Sequence, residues 1–145
     1  MKALMLGLSL AALAVSAHAA GLQVQGAELR AVAAGAPSTA GYMTVVNPGA
    51  EDQLLSATCA CAAKVEAHLS HVMNGMAMMM PAGPVEVPAG GQIAFRPGSY
   101  HLMFTGLKGA LKDGGSQPVT LKFAHAGAMT VDFQVHARIA ATPAP

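Results

Sequence analysis

The 145-residue chain is weakly charged: 10% of its residues are Asp, Glu, Lys or Arg, and its formal net charge at pH 7 is +1. This composition excludes the clustered positive charge that binding to nucleic acid or to an anionic membrane surface requires. After an N-terminal apolar segment, about 125 residues remain, which is enough for one domain with a single core.

Residues 1–20 have the pattern of a secretory signal peptide. Lys2 precedes an apolar run over residues 3–15, and the segment ends with the small residues Ala17 and Ala19. The run is too short to span a membrane comfortably. We expect a cleaved leader and a periplasmic mature chain that begins near residue 20 or 21, without stable membrane insertion. Because no cysteine lies near the cleavage region, we do not expect a lipid anchor.

Short segments rich in β-branched residues follow, separated by turn signals such as NPGAED, RPGS, KDGGSQ and HAGA. Nine strands are predicted, in chain order, at residues 22–25, 42–47, 53–58, 64–72, 85–87, 92–96, 101–105, 119–124 and 129–137. Many short strands joined by tight turns predict a single all-β domain over residues 21–138, a β-sandwich or Greek-key barrel. Residues 139–145 are predicted to form a frayed tail.

The two cysteines, Cys59 and Cys61, are separated by one residue. In an exported protein, a cysteine pair often forms a disulfide, but so short a spacing makes the ring tight. Three interpretations remain open at this point: two packed thiols, a strained or labile disulfide, and metal ligands.

Half of the ten methionines lie between Met73 and Met80, directly after His68 and His71. Asn74-Gly75 and Pro81 leave too few residues between them for a stable helix, so the segment is predicted to be a loop or the turning arm of a hairpin. Exposed thioethers are vulnerable to oxidation, and soft-metal binding is a reason to retain them. Thioethers prefer Cu(I), whereas imidazole suits either copper state.

A second pair of donors is His101 and Met103. Residues two apart on a strand share a face, so this pair could offer nitrogen and sulfur to one ion. Together with His68 and Met79 it gives the spacing H-x10-M-x21-H-x-M.

That spacing resembles the copper-binding signature of the periplasmic copper chaperones of the PCu(A)C family. The resemblance covers residues 22–137 and includes the segments AGYMTVVNPGAEDQLLSA, KVEAHLSHVMNGMAMMMP, PVEVPAGGQIAFRPGSYHLMFTGLKGALKDG and QPVTLKFAHAGAMTVDFQV. It implies a cupredoxin-like fold. It also implies one copper ion, Cu(I) with Cu(II) as the alternative resting state, bound by His68, Met79, His101 and Met103. The partners it implies are the cytochrome c oxidase subunit with the Cu(A) centre and a Sco-type copper protein.

The sequence departs from the family near these ligands. Met78 and Met80 stand where relatives commonly have basic residues, so either could present a sulfur beside that of Met79. His71, Met73 and Met76 are additional donors, expected either to pack in the loop or to bind copper transiently.

Three other functions are considered. Copper buffering, uptake or resistance would use the same site chemistry as delivery. A blue-copper electron carrier needs a thiolate and two histidines, and Cys61, His68 and Met73 supply only part of that set. An enzyme is not expected, because the sequence lacks an evident nucleophile with a base or paired carboxylates.

Overall fold

Residues 21–139 are described by a computed structural model, in which ten β-strands form one domain. The strands are β1 Gln23–Arg30, β2 Ser38–Asn47, β3 Asp52–Cys59, β4 Ala62–Met73, β5 Met76–Pro81, β6 Val85–Val87, β7 Gly91–Phe95, β8 Tyr100–Leu107, β9 Ser116–Phe123 and β10 Gly127–His136. The predicted all-β, cupredoxin-like single domain is thus confirmed. The predicted signal peptide and residues 140–145 lie outside the described range.

The strands form one sheet in the order β5-β4-β8-β7-β2-β1-β10-β9-β3-β6. Because β3 also pairs with β4, eight strands close into a barrel, and β5 and β6 are added outside it. Pairing is mostly antiparallel, but β1 runs parallel to β10 and β7 runs parallel to β8. In the part of the chain that the model describes, no helix is long and apolar enough to cross a membrane.

Period-two alternation builds the barrel core. Along β2, every second residue from Thr39 to Asn47 is buried, as expected when one face of a strand packs inward. Phe104 and Phe133 are fully buried and meet edge to face with ring centroids 6.4 Å apart, a favourable geometry for aromatic pairs. Gly41 leaves room for the Phe104 ring, because a Cβ there would lie 2.8 Å from a ring carbon.

Nine strands lie on the predicted segments; the bounds of β6 agree with the prediction, and those of the other eight differ. The largest difference is at β1, which was predicted to end at residue 25 and ends at Arg30. The tenth strand, β5, was predicted as a loop or the turning arm of a hairpin, and its loop alternative is wrong. Asn74 and Gly75 both have positive φ (54° and 77°), the backbone of a tight hairpin turn. This turn joins β4 to β5.

Cys59 and Cys61 form a disulfide at the turn between β3 and β4. The packed-thiol and metal-ligand interpretations of these cysteines are therefore wrong. Their Cα atoms are 5.1 Å apart. Because Cys61 precedes His68 by seven residues along an extended segment, the two are separated by about 20 Å.

Candidate metal centre

The metal centre proposed from the sequence lies on three adjacent strands, β5, β4 and β8. His68 on β4 is directly opposite His101 on β8, and on its other side it is opposite Pro81 on β5. Met103 is opposite Glu66, and Met79 is opposite Ser70. Directly opposed residues, and residues two apart on one strand, share a face of the sheet. The register therefore places His68, Met79, His101 and Met103 on one face.

The same register distinguishes Met79 from its two neighbours. Met78 is opposite His71 and Met80 is opposite Leu69. Because side chains alternate along a strand, Met78 and Met80 lie on the other face of the sheet from His68 and His101. The backbone thus gives Met79 a position beside the histidines that neither neighbour shares.

The two imidazole rings are close and poorly provided with protein partners. Their centroids are 5.8 Å apart and the ring planes are inclined by 56°. Both ring nitrogens of His68 and Nε2 of His101 are buried without a hydrogen-bond partner among residues 21–139. Buried polar atoms are normally satisfied, so each such group calls for an explanation such as an ion or a water molecule.

His101 is the more deeply buried of the two histidines, with 4% of its surface exposed. Burial lowers its pKa below the ordinary value, and the nearby His68 acts in the same direction, against the raising effect of the Ser99 contact. The Ser99 carbonyl oxygen is 3.4 Å from Nδ1 of His101. When Nδ1 is the protonated nitrogen and donates this long hydrogen bond, Nε2 has its lone pair free for a metal ion.

Glu66 is a member of the site region that the sequence reasoning missed. Its Oε1 is 2.9 Å from Nζ of Lys64, and its Oε2 is 3.5 Å from Nε2 of His68. The second contact is electrostatic, because its geometry is not that of a hydrogen bond. The hydrogen bond from Lys64 is the main cause that lowers the Glu66 pKa, so the carboxylate is ionised at neutral pH. The signal that could have found it is the two-residue spacing from His68.

The two methionines differ in exposure. Met79 is 63% exposed on the outermost strand, β5, whereas Met103 is half-buried on β8. An ion at this face would have buried nitrogen donors on one side and an accessible sulfur donor on the other. The site is consequently open to another molecule from the side of β5.

The blue-copper alternative does not fit this geometry. Cys61 is bonded to Cys59, so it offers no thiolate. Met73 is opposite Met76 and is five residues from His68 on the same strand, which places the two on opposite faces. Cys61, His68 and Met73 therefore have no common focus.

Solved structures with a similar backbone define the class of fold. The copper-bound PCuAC domain from PmoF2 is 24% identical and has a TM-score of 0.69, over 81% of this chain and 93% of that one. The solution structure of CuI-DR1885 from Deinococcus radiodurans is 30% identical with a TM-score of 0.64, over 79% of this chain and 77% of that one. The chain therefore has the fold of a PCuAC domain.

Sequence comparison assigns the family. The family model described as "Putative lipoprotein LpqE-like" matches residues 22–135, and the chain belongs to that family. A relative from Leifsonia xyli subsp. xyli, named "Putative lipoprotein Lxx21020", is 34% identical over 128 residues, which are 83% of this chain and 77% of the relative.

Proposed function

We propose that this protein is an extracytoplasmic copper chaperone that binds one Cu(I) ion through His68, Met79, His101 and Met103 and passes it to a partner. The main support is the pairing of His68 with His101: their ring centroids are 5.8 Å apart, and three of their ring nitrogens are buried without a hydrogen-bond partner among residues 21–139. The register adds Met79 and Met103 on the same face. Two imidazoles and two thioethers suit Cu(I).

The donor set also suits release of the ion. All four ligands are neutral, so no thiolate has to be reprotonated when copper leaves. Met79 is exposed on β5, so an acceptor can replace this sulfur first while the two histidines, whose ring nitrogens are buried, still hold the ion. Stepwise replacement of ligands avoids a free ion at any stage.

The location and the partner belong to the same proposal. The predicted signal peptide and the lipoprotein names of the family and its relative support a place outside the cytoplasm. The resemblance to PCu(A)C proteins supports the periplasm, with delivery toward the Cu(A) centre of cytochrome c oxidase alongside a Sco-type protein. Copper buffering or resistance is the second candidate, because the site would serve it equally well. The proposal involves no catalysis.

A substitution at Met79 tests the ligand set. Met79→Leu keeps an apolar side chain of similar size but removes the sulfur, so we expect Cu(I) affinity to fall at least tenfold in competition with a chromophoric Cu(I) chelator. Met129→Leu is the matched control, because this methionine is half-buried on β10, away from the site. Equal affinities for the two variants would contradict the assignment of Met79.

Transfer measurements separate delivery from buffering. We expect the copper-loaded protein to give Cu(I) to the apo Cu(A) domain of an oxidase faster than the same concentration of a small-molecule Cu(I) complex does. Retention of the ion in the presence of this acceptor would favour buffering.

A further inference from the structure

The face of the β4–β5 hairpin that turns away from His68 bears a second group of soft donors. We call it the inner hairpin face, because farther along β4 the same face includes Val65, which packs in the core. It consists of His71, Met73, Met76, Met78 and Met80, and none of these residues belongs to the ligand set proposed above.

The register arranges these donors as cross-strand neighbours. His71 is opposite Met78, and Met73 is opposite Met76. Directly opposed residues have Cβ atoms about 5 Å apart, and successive pairs on one face are about 7 Å apart along the strand. Methionine has three rotatable bonds, so sulfur atoms from neighbouring pairs can reach an ion beside the His71 ring.

The barrel does not cover this face. Pairing between β4 and β8 ends at Leu69 opposite Tyr100, and β5 pairs with β4 along one edge. The hairpin therefore extends past the end of the core. Met73, Met76, Met78 and Met80 are 44–69% exposed, although large apolar side chains are otherwise mostly inside.

Residue type favours a metal ion over a protein as the ligand of this face. Within residues 21–139, five of the seven exposed large hydrophobic side chains are methionines, and all five lie on the hairpin. An apolar docking surface could be made of leucine or valine, which resist oxidation, whereas thioethers beside an imidazole offer Cu(I) donors.

We propose that the inner hairpin face is a second Cu(I) site, with His71 and Met78 as the central pair and one or two sulfur atoms from Met73, Met76 and Met80 completing a three- or four-coordinate set. The choice of ion rests on the proposed function. Because every donor is exposed or half-buried, this site binds more weakly and exchanges faster than the first. Successive residues of β5 place sulfur alternately on the two faces, so an ion captured by Met78 or Met80 is one residue from Met79.

Copper stoichiometry tests the second site. Apo protein is titrated anaerobically with Cu(I) against a weak chromophoric chelator, while the methionine methyl groups are followed by NMR. We expect two Cu(I) ions per wild-type chain, with the methyl signals of the inner hairpin face shifting at the second equivalent. The combined Met73→Leu, Met76→Leu, Met78→Leu and Met80→Leu variant keeps the apolar area but removes the donors, and it should bind one ion.

Two further variants make the outcomes distinguishable. Val72→Ala changes an exposed residue of the hairpin on the opposite face and should keep both ions. His68→Ala with His101→Ala should lose the tighter ion and keep the weaker one, so failure of the first site leaves the second measurable. A single ion on the wild-type chain would overturn the proposal. Unchanged uptake by the four-leucine variant would also overturn it and would assign the face to apolar docking.

Discussion

At the scale of single residues, the position of the two histidines of the site lowers the stability of the fold when no ion is bound. Three ring nitrogens are buried without a hydrogen-bond partner in the described part of the chain. Each unsatisfied buried polar group costs about 1–3 kcal/mol. An ion bound by both rings would act as the partner of one nitrogen on each ring. The arrangement of the histidines therefore favours the copper-bound form of the protein.

Glu66 is predicted to act on the copper site as a positioning residue. Its carboxylate lies 3.5 Å from His68 and is balanced by Lys64. Its negative charge beside His68 stabilises a positive ion bound at that ring, and loss of a carboxylate partner of a ligand histidine typically lowers metal affinity by about 10-fold or more. We expect Glu66→Gln to weaken Cu(I) binding by about this factor, measured by chelator competition.

The control for this substitution is Glu86→Gln, which removes an exposed carboxylate from β6. It should leave Cu(I) affinity unchanged, because β6 pairs with β3 and neither strand carries a proposed ligand. Similar effects of the two variants would show that Glu66 contributes only through net charge.

At the scale of strands, Asp52 joins the start of β3 to the turn between β9 and β10. Its carboxylate accepts backbone hydrogen bonds from His125 and Ala126, each 2.8 Å long, and from Gln53. Asn at this position cannot accept all three bonds equally, and hydrogen bonds to a charged group contribute about 1.5–3 kcal/mol. We expect Asp52→Asn to lower the free energy of unfolding by about 2 kcal/mol in urea at pH 7. Asp132→Asn, at an exposed position on β10, should have little effect.

The same carboxylate predicts a dependence of stability on pH. Burial opposes its ionisation, but the backbone donors and the charge of His125 outweigh burial, so its pKa lies below the ordinary value. A lowered folded-state pKa adds stability that is present above the unfolded value of about 3.9 and lost as pH falls through the folded value. We expect urea midpoints of the wild type to fall below pH 4, and those of Asp52→Asn to fall less. If the urea midpoints of the wild type and of Asp52→Asn fall in parallel as pH is lowered, Asp52 is not the source of the pH dependence.

The hairpin turn determines where Met79 lies, because β4 is the only strand among residues 21–139 with which β5 pairs. Gly75 has φ of 77°, which costs an L-residue about 1–2 kcal/mol. We expect Gly75→Ala to loosen the β4–β5 register and to weaken Cu(I) binding severalfold. Gly35→Ala introduces a similar strain at φ of 87° in the loop between β1 and β2 and should leave copper affinity unchanged. If both variants bind like the wild type, the site does not depend on the hairpin.

The β5 strand also shows why sequence reasoning found nine strands and not the tenth. Strands such as β2 and β9 alternate between inward and outward residues over part of their length, whereas all six residues of β5 are exposed. With no buried face, the segment has no period-two pattern to detect. The local signal that did exist was Asn74-Gly75, whose positive φ angles define the turn.

At the scale of the whole molecule, the sequence predicted the fold class because many short strands between glycine- and proline-rich turns can bury a core in few ways. It could not predict that His68 lies opposite His101. These residues are far apart in sequence, and their pairing depends on how β4 and β8 align in the closed barrel. The spacing pattern reached the same residues through family resemblance. Neither route found Glu66.

Because the proposed ligands come from β4, β5 and β8, the site exists only when the barrel is folded, and copper binding should stabilise the whole domain. A ligand that binds only the folded state adds about 2.7 kcal/mol at a free concentration 100 times its dissociation constant. For a domain of this size, that corresponds to a rise in Tm of about 10 °C. We expect this rise in anaerobic thermal melts followed by circular dichroism, with Cu(I) buffered by a chelator. His68→Ala with His101→Ala should abolish most of it, whereas Val72→Ala should retain it. An equal rise in all three proteins would show that copper stabilises the fold from a site other than the paired histidines.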